Sequence, residues 1–562
     1  MNAQSQKKIK TVGNQLFDWR DSLFIVFIIV TVSLVWGSPF SGHPAMNAWL
    51  SKKLINAIVL FSLLCSVVFY AKLNSARFSI DQFFVKYQWL IVSSLFVSYS
   101  VILSSVSILR HLAFATHAFD LGIFDQAIWT VTKGKFLYSS IKEGICLLGD
   151  HMSPILLLFS PLLLIWDDVR VLLIAQAIIS ALCFFPLALI AEHKLGKGII
   201  PVFFCAALYF YLPLRNSTMA EFHPEIIANP IMFSAFYFMI KERWKLFWTC
   251  LFALILCKEN MYGITFIFGI YLLFERRTKT GIALIVGSIL FFYMTTQYLI
   301  PWISQQPYLY RGNYSYFYIG TWGTDPPLIV KPADLAEYLY RIFLPLGFLS
   351  FFNFPAMLLN IPILFQNILS RNPTMHSLSY QYTIGLTPAV FVSAIYGLDV
   401  LFSCLKGKSS QKIRYCVLTI LLICTLFLEG RSERFYFHKY RGNISKENNK
   451  ISEWVGRIPE QYSVVANDRL VPHMSHRFEI RQFEDFQRMP PGDTYSIKAD
   501  LIILSREMTE GPIESEIDKI KRSGYRIIFE KYGLILFQRK DLEANLAISG
   551  EKSLLDSRGD FS

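Results

Sequence analysis

Apolar runs too long and too free of charge for a soluble core dominate the first three quarters of the chain, beginning near 22–38, 54–72 and 89–109. A bilayer core takes about 20 apolar residues per helix. Hydrocarbon offers backbone polar groups no partner, so only helices or a closed barrel can span it. These runs are continuous rather than alternating, which selects helices. Composition agrees: of 562 residues, 53% are hydrophobic, 16% aromatic and 17% charged, too apolar a balance for an ordinary soluble protein. The chain reads as an α-helical polytopic membrane protein.

The formal charge of +13 does not indicate nucleic acid, because basic residues of membrane proteins gather in cytoplasmic loops and orient the chain. Lys7, Lys8, Lys10 and Arg20 precede "DSLFIVFIIVTVSLVW", a start that stays in the membrane and has no clean small-residue cleavage site. The N-terminus is therefore expected in the cytoplasm of a cell bounded by an inner (plasma) membrane. Lys72, Arg77 and Lys86 place the second loop inside, and "HKLGKG" (193–198), "KERWK" (241–245), "ERRTKT" (275–280) and "KGKSSQKIR" (406–414) follow them. The loop opening at Arg110, "PLRNSTMAEFHPE" (213–225) and the aromatic stretch 301–340 are then outside. Nine cysteines in no metal or thiol motif, with none after Cys424, argue against a disulfide framework.

Two apolar runs fit this topology only if they do not cross. The run 151–166 is expected as an interfacial or re-entrant helix, and 246–274, interrupted by "CKEN", as two short helices. Pro345, Pro355 and Pro362 break 341–369 into a further hairpin. The reading divides the chain into an N-terminal two-helix hairpin (1–87), a membrane core (88–429) whose first outer loop is 110–150, and a C-terminal domain (430–562). Ten to thirteen membrane helices are expected, with a last span near 413–429. In the C-terminal domain, β-rich "YSVVAND", "ADLIILS" and "YRIIFEKYGLILFQRK" alternate with helical "IESEIDKIKRSG", predicting a small α/β domain outside the membrane.

Charged groups at membrane depth cost roughly 2.5–3.5 kcal/mol each, so their gathering at one side is informative. "FATHAFDLGIFDQAIW" holds Asp120, Asp125 and Gln126; "GDHMSP" holds Asp150 and His151; "AEFHPE" holds Glu221, His223 and Glu225; "CKEN" holds Lys258 and Glu259. Arg311 lies in the aromatic loop, and His376, Tyr380 and Tyr382 lie in "HSLSYQY". Each has a plainer reading. Asp120 suits a helix N-cap; Asp125, about 140° round a helix from it, suits a different job. Lys258 and Glu259 suit a mutually neutralised pair, and the aromatic loop an interfacial belt. His473 and His476 in "NDRLVPHMSHR" suit a soluble surface. No HExxH, CxxC pair, Walker loop or GxGxxG occurs, so no motif demands a cofactor, although scattered outer acids and histidines leave room for one divalent cation.

The succession "FDLGIFDQAIW", then "HMSPILLLFSPLLLIWDDVRVLLIAQAIISALCFFPLALIAEHKLG", is similar to the first outer loop and following span of GT-C glycosyltransferases. With "EFHPE", "KEN" and "HSLSYQYTIGLTP", residues 88–405 resemble a bacterial membrane family of unknown function, 2079, itself GT-C-like. The resemblance implies a GT-C-like transmembrane bundle acting on the outer face. It would move a sugar from a polyprenyl-phosphate donor, with inversion, to an envelope glycan, lipid or protein. Asp120 would be the general base, with Asp125 the fallback. Gln126, His151, Glu221, His223, Lys258, Glu259, Arg311, His376, Tyr380 and Tyr382 would contact substrate, and Lys258, Arg215 and Arg311 are candidates for the phosphate. The rival readings are a lipid or polysaccharide transport protein without chemistry, and a scaffold with an inactive core.

Overall fold

The computed structural model describes residues 80–310, 332–370, 372–404, parts of 414–425, 444–484, 499–509 and 511–542. The expected N-terminal hairpin, Arg311 and most of the span at 413–429 lie outside the described residues. The first described helix, Ile80–Leu112, runs unbroken for 33 residues, across the boundary expected at 87/88. No proline or glycine interrupts it, and Asp81 in its first turn and Arg110 and His111 in its last suit the helix dipole.

Among the described residues four helices are long and apolar enough to cross a membrane: Asp81–Leu112, Arg170–Leu195, Thr278–Ser304 and Gln381–Cys404. A fifth forms if Ile199–Phe210 and Leu212–Met219, bent by 48°, count as one span. The other apolar runs are shorter helices: Pro154–Ile165, Pro224–Ile240, Trp244–Ile255, Met261–Phe274 and Phe354–Ile368. Pro213, Pro224, Pro355 and the "CKEN" turn cut the runs in this part of the chain, and part of the ten to thirteen membrane helices expected falls outside the described residues. Both expected exceptions are present, Pro154–Ile165 as a short helix and 246–274 as two.

Contacts sort the polar residues to opposite ends of the bundle. At one end Gln88 donates to Glu192 (2.7 Å), Lys194 pairs with Asp399 (3.0 Å), and Arg277 pairs with Glu242. These join the basic clusters assigned to one side from the sequence. The acids and histidines of the candidate site gather at the other end.

Met261–Phe274 and Thr278–Met294 form a hairpin that supplies one wall of the site. They cross at two glycines: a Cβ on Gly269 would stand 2.8 Å from the Gly281 carbonyl oxygen, and one on Gly281 would stand 2.7 Å from Leu273 Cδ2. Small residues allow such close approach. Gly269→Ala should therefore destabilise the protein by about 1–3 kcal/mol, the usual penalty of overpacking, read as a fall in thermal midpoint in detergent.

Outside the bundle a two-stranded hairpin, β1 (Tyr138–Ser139) and β2 (Ile145–Cys146), shapes the first loop. The C-terminal domain has a five-stranded sheet of β3 (Val464–Ala466), β4 (Ile480–Gln482), β5 (Leu501–Ser505), β6 (Tyr525–Lys531) and β7 (Leu534–Arg539), in the order β4-β3-β5-β7-β6. β4, β3 and β5 are parallel; β7 is antiparallel to β5 and β6. Tyr532 and Gly533, both at positive φ, make the tight turn of the β6–β7 hairpin. In Ile513–Arg522, Ile517 and Ile520 face inward while acids open and bases close the helix. The domain is not a free appendage: Leu470, Val471 and Met474 share a buried apolar cluster with Phe114, Ala118, Leu121 and Ile128 of the first loop.

Candidate active-site cavity

A cavity of about 810 Å³ opens where the broken segments meet. Asp150 and His151, just before Pro154–Ile165, reach it, held there because the Ile155 amide donates to the Leu256 carbonyl (3.1 Å) and the Met152 amide to the Glu259 carboxylate (3.0 Å). Helix interruptions at membrane depth are tolerated where they line a polar cavity, and here they deliver its charged side chains.

Four acids on the wall each face a base. Asp120 lies 3.4 Å from His223 Nε2, and Lys142 Nζ lies 3.4 Å from Asp150. Lys258 donates to Glu225 at 2.5 Å, and His151 Nδ1 meets Glu259 at 2.7 Å. Tyr308 adds a hydroxyl bond to Glu259 (2.7 Å), and Tyr310 stacks on the His151 ring at 4.2 Å. Lys258 and Glu259 are therefore not each other's direct partner, as the sequence allowed; neighbours on a tight turn, they bond to separate residues. The opposite wall is apolar and includes Phe266, Ile289, Phe292 and Phe365. Ile289 and Phe365 are 55% and 58% exposed, so the apolar half continues onto the outer surface of the bundle between Thr278–Ser304 and Phe354–Ile368.

Asp120 sits within a π-helical turn, Ala118–Gly122, and does not cap it: His117 holds that position, and Gly122 precedes the next helix. Burial alone would raise its carboxyl. The hydrogen-bonded His223 ring, helped by the charges of Arg110 and His117, outweighs burial and holds Asp120 below the usual carboxylate value. Burial likewise opposes charge on His223, yet Asp120 and Glu225 lift it above its ordinary value. Each partner thus favours the charged form of the other, with the Asp120 side chain 42% exposed.

The structure divides the residues expected at the site. Asp120, His151, His223, Lys258, Glu259 and Tyr382 line the cavity. Asp125 does not: 0% exposed, it accepts from Ser475 Oγ (2.5 Å) and faces His476 Nε2 (3.0 Å). Gln126 is buried too, donating to Ser140 (2.8 Å) and to the Arg477 carbonyl (2.9 Å). Both belong to the contact with the C-terminal domain. Glu221 lies beneath the Asp120 turn, bound to Arg110 (2.7 Å) and to the amides of His117 (3.0 Å) and Leu121 (3.2 Å). Arg215 is buried in the bundle away from the cavity. His376 and Tyr380 also lie off its wall, the latter 43% exposed.

Sequence reasoning missed Lys142, Tyr308 and Tyr310 on the wall. Lys142 had a readable signal, since it opens the "KEG" turn between β1 and β2, where Glu143 and Gly144 take positive φ. It also placed His473 and His476 on a soluble surface. His473 is instead stacked between His111 (3.9 Å) and Phe114 (4.0 Å), and His476 spans Asp125 and Asp167 (2.7 Å). Among the described residues no group of three or more His, Cys, Asp or Glu is arranged to hold a metal ion. Each acid on the cavity wall already faces a base, so this donor set does not fit a divalent cation.

This bundle, with broken helices converging on a polar cavity, is a GT-C-like membrane fold. It is similar to the crystal structure of ArnT from Cupriavidus metallidurans in the apo state, with a TM-score of 0.52 and 12% identity, over 83% of this chain and 99% of that one. At this identity the likeness is one of fold. The chain belongs to the family described as "Predicted membrane protein (DUF2079)", whose model matches residues 110–536. The family unit therefore continues into β7 and includes most of the C-terminal domain, where the sequence reading stopped near 405. A comparison with curated protein sequences finds no match.

Proposed function

We propose that this protein is an inverting glycosyltransferase that moves a sugar from a polyprenyl-phosphate donor to a hydroxyl of an envelope glycan, lipid or protein. Transfer takes place on the outer face of the inner membrane, with the N-terminus cytoplasmic and the C-terminal domain outside. One observation carries the reading: a single cavity joins an ion-paired polar wall, on which Asp120 stands half-buried, to an apolar side open along the bundle. That division suits a ligand with a charged sugar head and a hydrocarbon tail. Nucleotide sugars remain in the cytoplasm, so outer-face transfer needs a donor of this kind.

In the reaction, Asp120 accepts the proton of the acceptor hydroxyl as its oxygen attacks the anomeric carbon from the face opposite the phosphate. The anomeric carbon–oxygen bond breaks, and its electron pair leaves with the polyprenyl phosphate. Cations near that oxygen stabilise the developing charge. Lys142 suits this role, because its 3.4 Å contact with Asp150 is looser than the Lys258–Glu225 bond at 2.5 Å. His151, Glu259, Tyr308 and Tyr382 are placed to bind sugar hydroxyls.

Because Asp120 is held below its ordinary pKa, the base stays ionised as pH falls. The acid limb of turnover should therefore have its midpoint below about pH 4, the usual carboxylate value, rather than near pH 6. Its partner acts in the opposite sense: His223 is raised, so its charge is complete below its usual value and is lost as pH rises through the raised one. A polyprenyl-phosphate sugar with a photoreactive tail tests the binding mode. Labelling on Thr278–Ser304 or Phe354–Ile368, competed by unlabelled donor, supports the reading; labelling elsewhere, or none, opposes it.

A further inference from the structure

In open sheets, ligands bind outside the carboxyl ends of parallel strands, at the point where strand order turns back. β3 is that point here, with parallel β4 on one side and parallel β5 on the other. Polar residues just beyond these strands knit together. The Ser505 amide donates to Asn467 Oδ1 (2.7 Å), Asn467 Nδ2 donates to Glu484 (3.2 Å), and the Asp468 amide donates to Glu484 (2.9 Å). So held, Asp468 turns its carboxylate toward the membrane core. It accepts the Ala118 amide at 2.8 Å and meets His117 Nδ1 at 2.5 Å. The mouth of the sheet is thus filled by the loop that carries Asp120.

We propose that Asp468 is a positioning residue that fixes the Asp120 turn, so that the C-terminal domain is a working part of the cavity. The assignment of a catalytic purpose rests on Asp120 being the base. Two carboxylates hold this turn from separate modules. Glu221, pinned by Arg110, takes the His117 and Leu121 amides from the bundle side; Asp468 takes the Ala118 amide from the domain side. Gly122 at the end of the turn has little slack, since a Cβ there would stand 3.3 Å from Val471 Cγ1 and Ile141 Cδ1. Asp120 needs this external support: among the described residues the polar partner of its carboxylate is His223, at 3.4 Å. Asp468 also acts through charge. Its hydrogen bond is the main reason His117 is raised above its ordinary value, and the His117 charge helps keep Asp120 ionised.

The test uses Asp468→Asn in the full chain, beside Glu479→Ala. The second variant removes a different cross-domain contact, from Tyr138 at 2.8 Å. In Asp468→Asn, amide exchange across 113–125 should rise roughly ten- to a hundredfold, the worth of a hydrogen bond to a charged group. Transfer should fall by about a hundredfold, the effect of misplacement by about 1 Å, in kcat rather than in KM for donor. The acid limb of the pH profile should move upward, which a merely structural contact would not cause. Glu479→Ala should change none of these. The proposal is overturned if exchange is unchanged in Asp468→Asn, if both variants loosen the turn equally, or if activity falls without movement of the acid limb. If wild type transfers no sugar although Asp468→Asn loosens the turn, the transferase reading falls and the clamp stands.

Discussion

Asp120→Asn should lower sugar transfer by about a hundred- to ten-thousandfold, the usual contribution of a positioned general base, while donor lipid binds nearly as before. The asparagine keeps the shape of the side chain and can still accept a hydrogen bond from His223, but it cannot take up the acceptor proton. Little stability should be lost. The Asp120 carboxylate is 42% exposed and its turn is held by backbone bonds to other residues. The checks are steady-state transfer and thermal midpoint measured on the same purified variant.

Asp125→Ala should do the reverse. Asp125 is fully buried between Ser475 and His476, and His476 is further tied to Asp167. Breaking a buried ion pair costs about 3–5 kcal/mol, here in docking of the C-terminal domain, and the readouts are a lower thermal midpoint and faster proteolysis at 444–484. Transfer should fall only as far as the protein undocks. The same array sets an alkaline limit. Burial disfavours charge on His476, but Asp125 and Asp167 outweigh it and raise the ring to about 10. Its contribution is complete below the usual histidine value and is lost as pH rises toward about 10. Docking should therefore weaken in strong alkali in wild type, and show a smaller dependence, set at lower pH, in Asp125→Ala, where Asp167 alone still holds the ring.

The contrast between these two aspartates shows what the sequence carried and what it withheld. Spacing places them about 140° apart on a helix and so suggests separate jobs. It does not say which faces the cavity, because that depends on a domain about 350 residues downstream, the separation of Asp125 from Ser475. The membrane helices, the break at "CKEN" and the α/β character of the C-terminal segment were legible, since each rests on local pattern. His151, His223, Lys258 and Glu259 were legible as polar groups that hydrocarbon would not tolerate alone. Glu221 fits that pattern equally well, yet it serves as a backbone anchor; charge at membrane depth identifies a needed partner, not the purpose of the pair. Asp468 was not legible, because exposed loops carry aspartates for solubility as often as for chemistry, and Lys142 showed only through the turn it opens.

The central claim is that this cavity transfers sugar from a lipid phosphate with Asp120 as base. It is tested most directly by supplying radiolabelled polyprenyl-phosphate hexose or pentose, with envelope extract, to wild type and Asp120→Asn in liposomes. The account predicts that label moves to acceptor with wild type and stays on the lipid with the variant, although both bind it. Equal transfer by the two proteins, or binding of donor by wild type without any transfer, would contradict it.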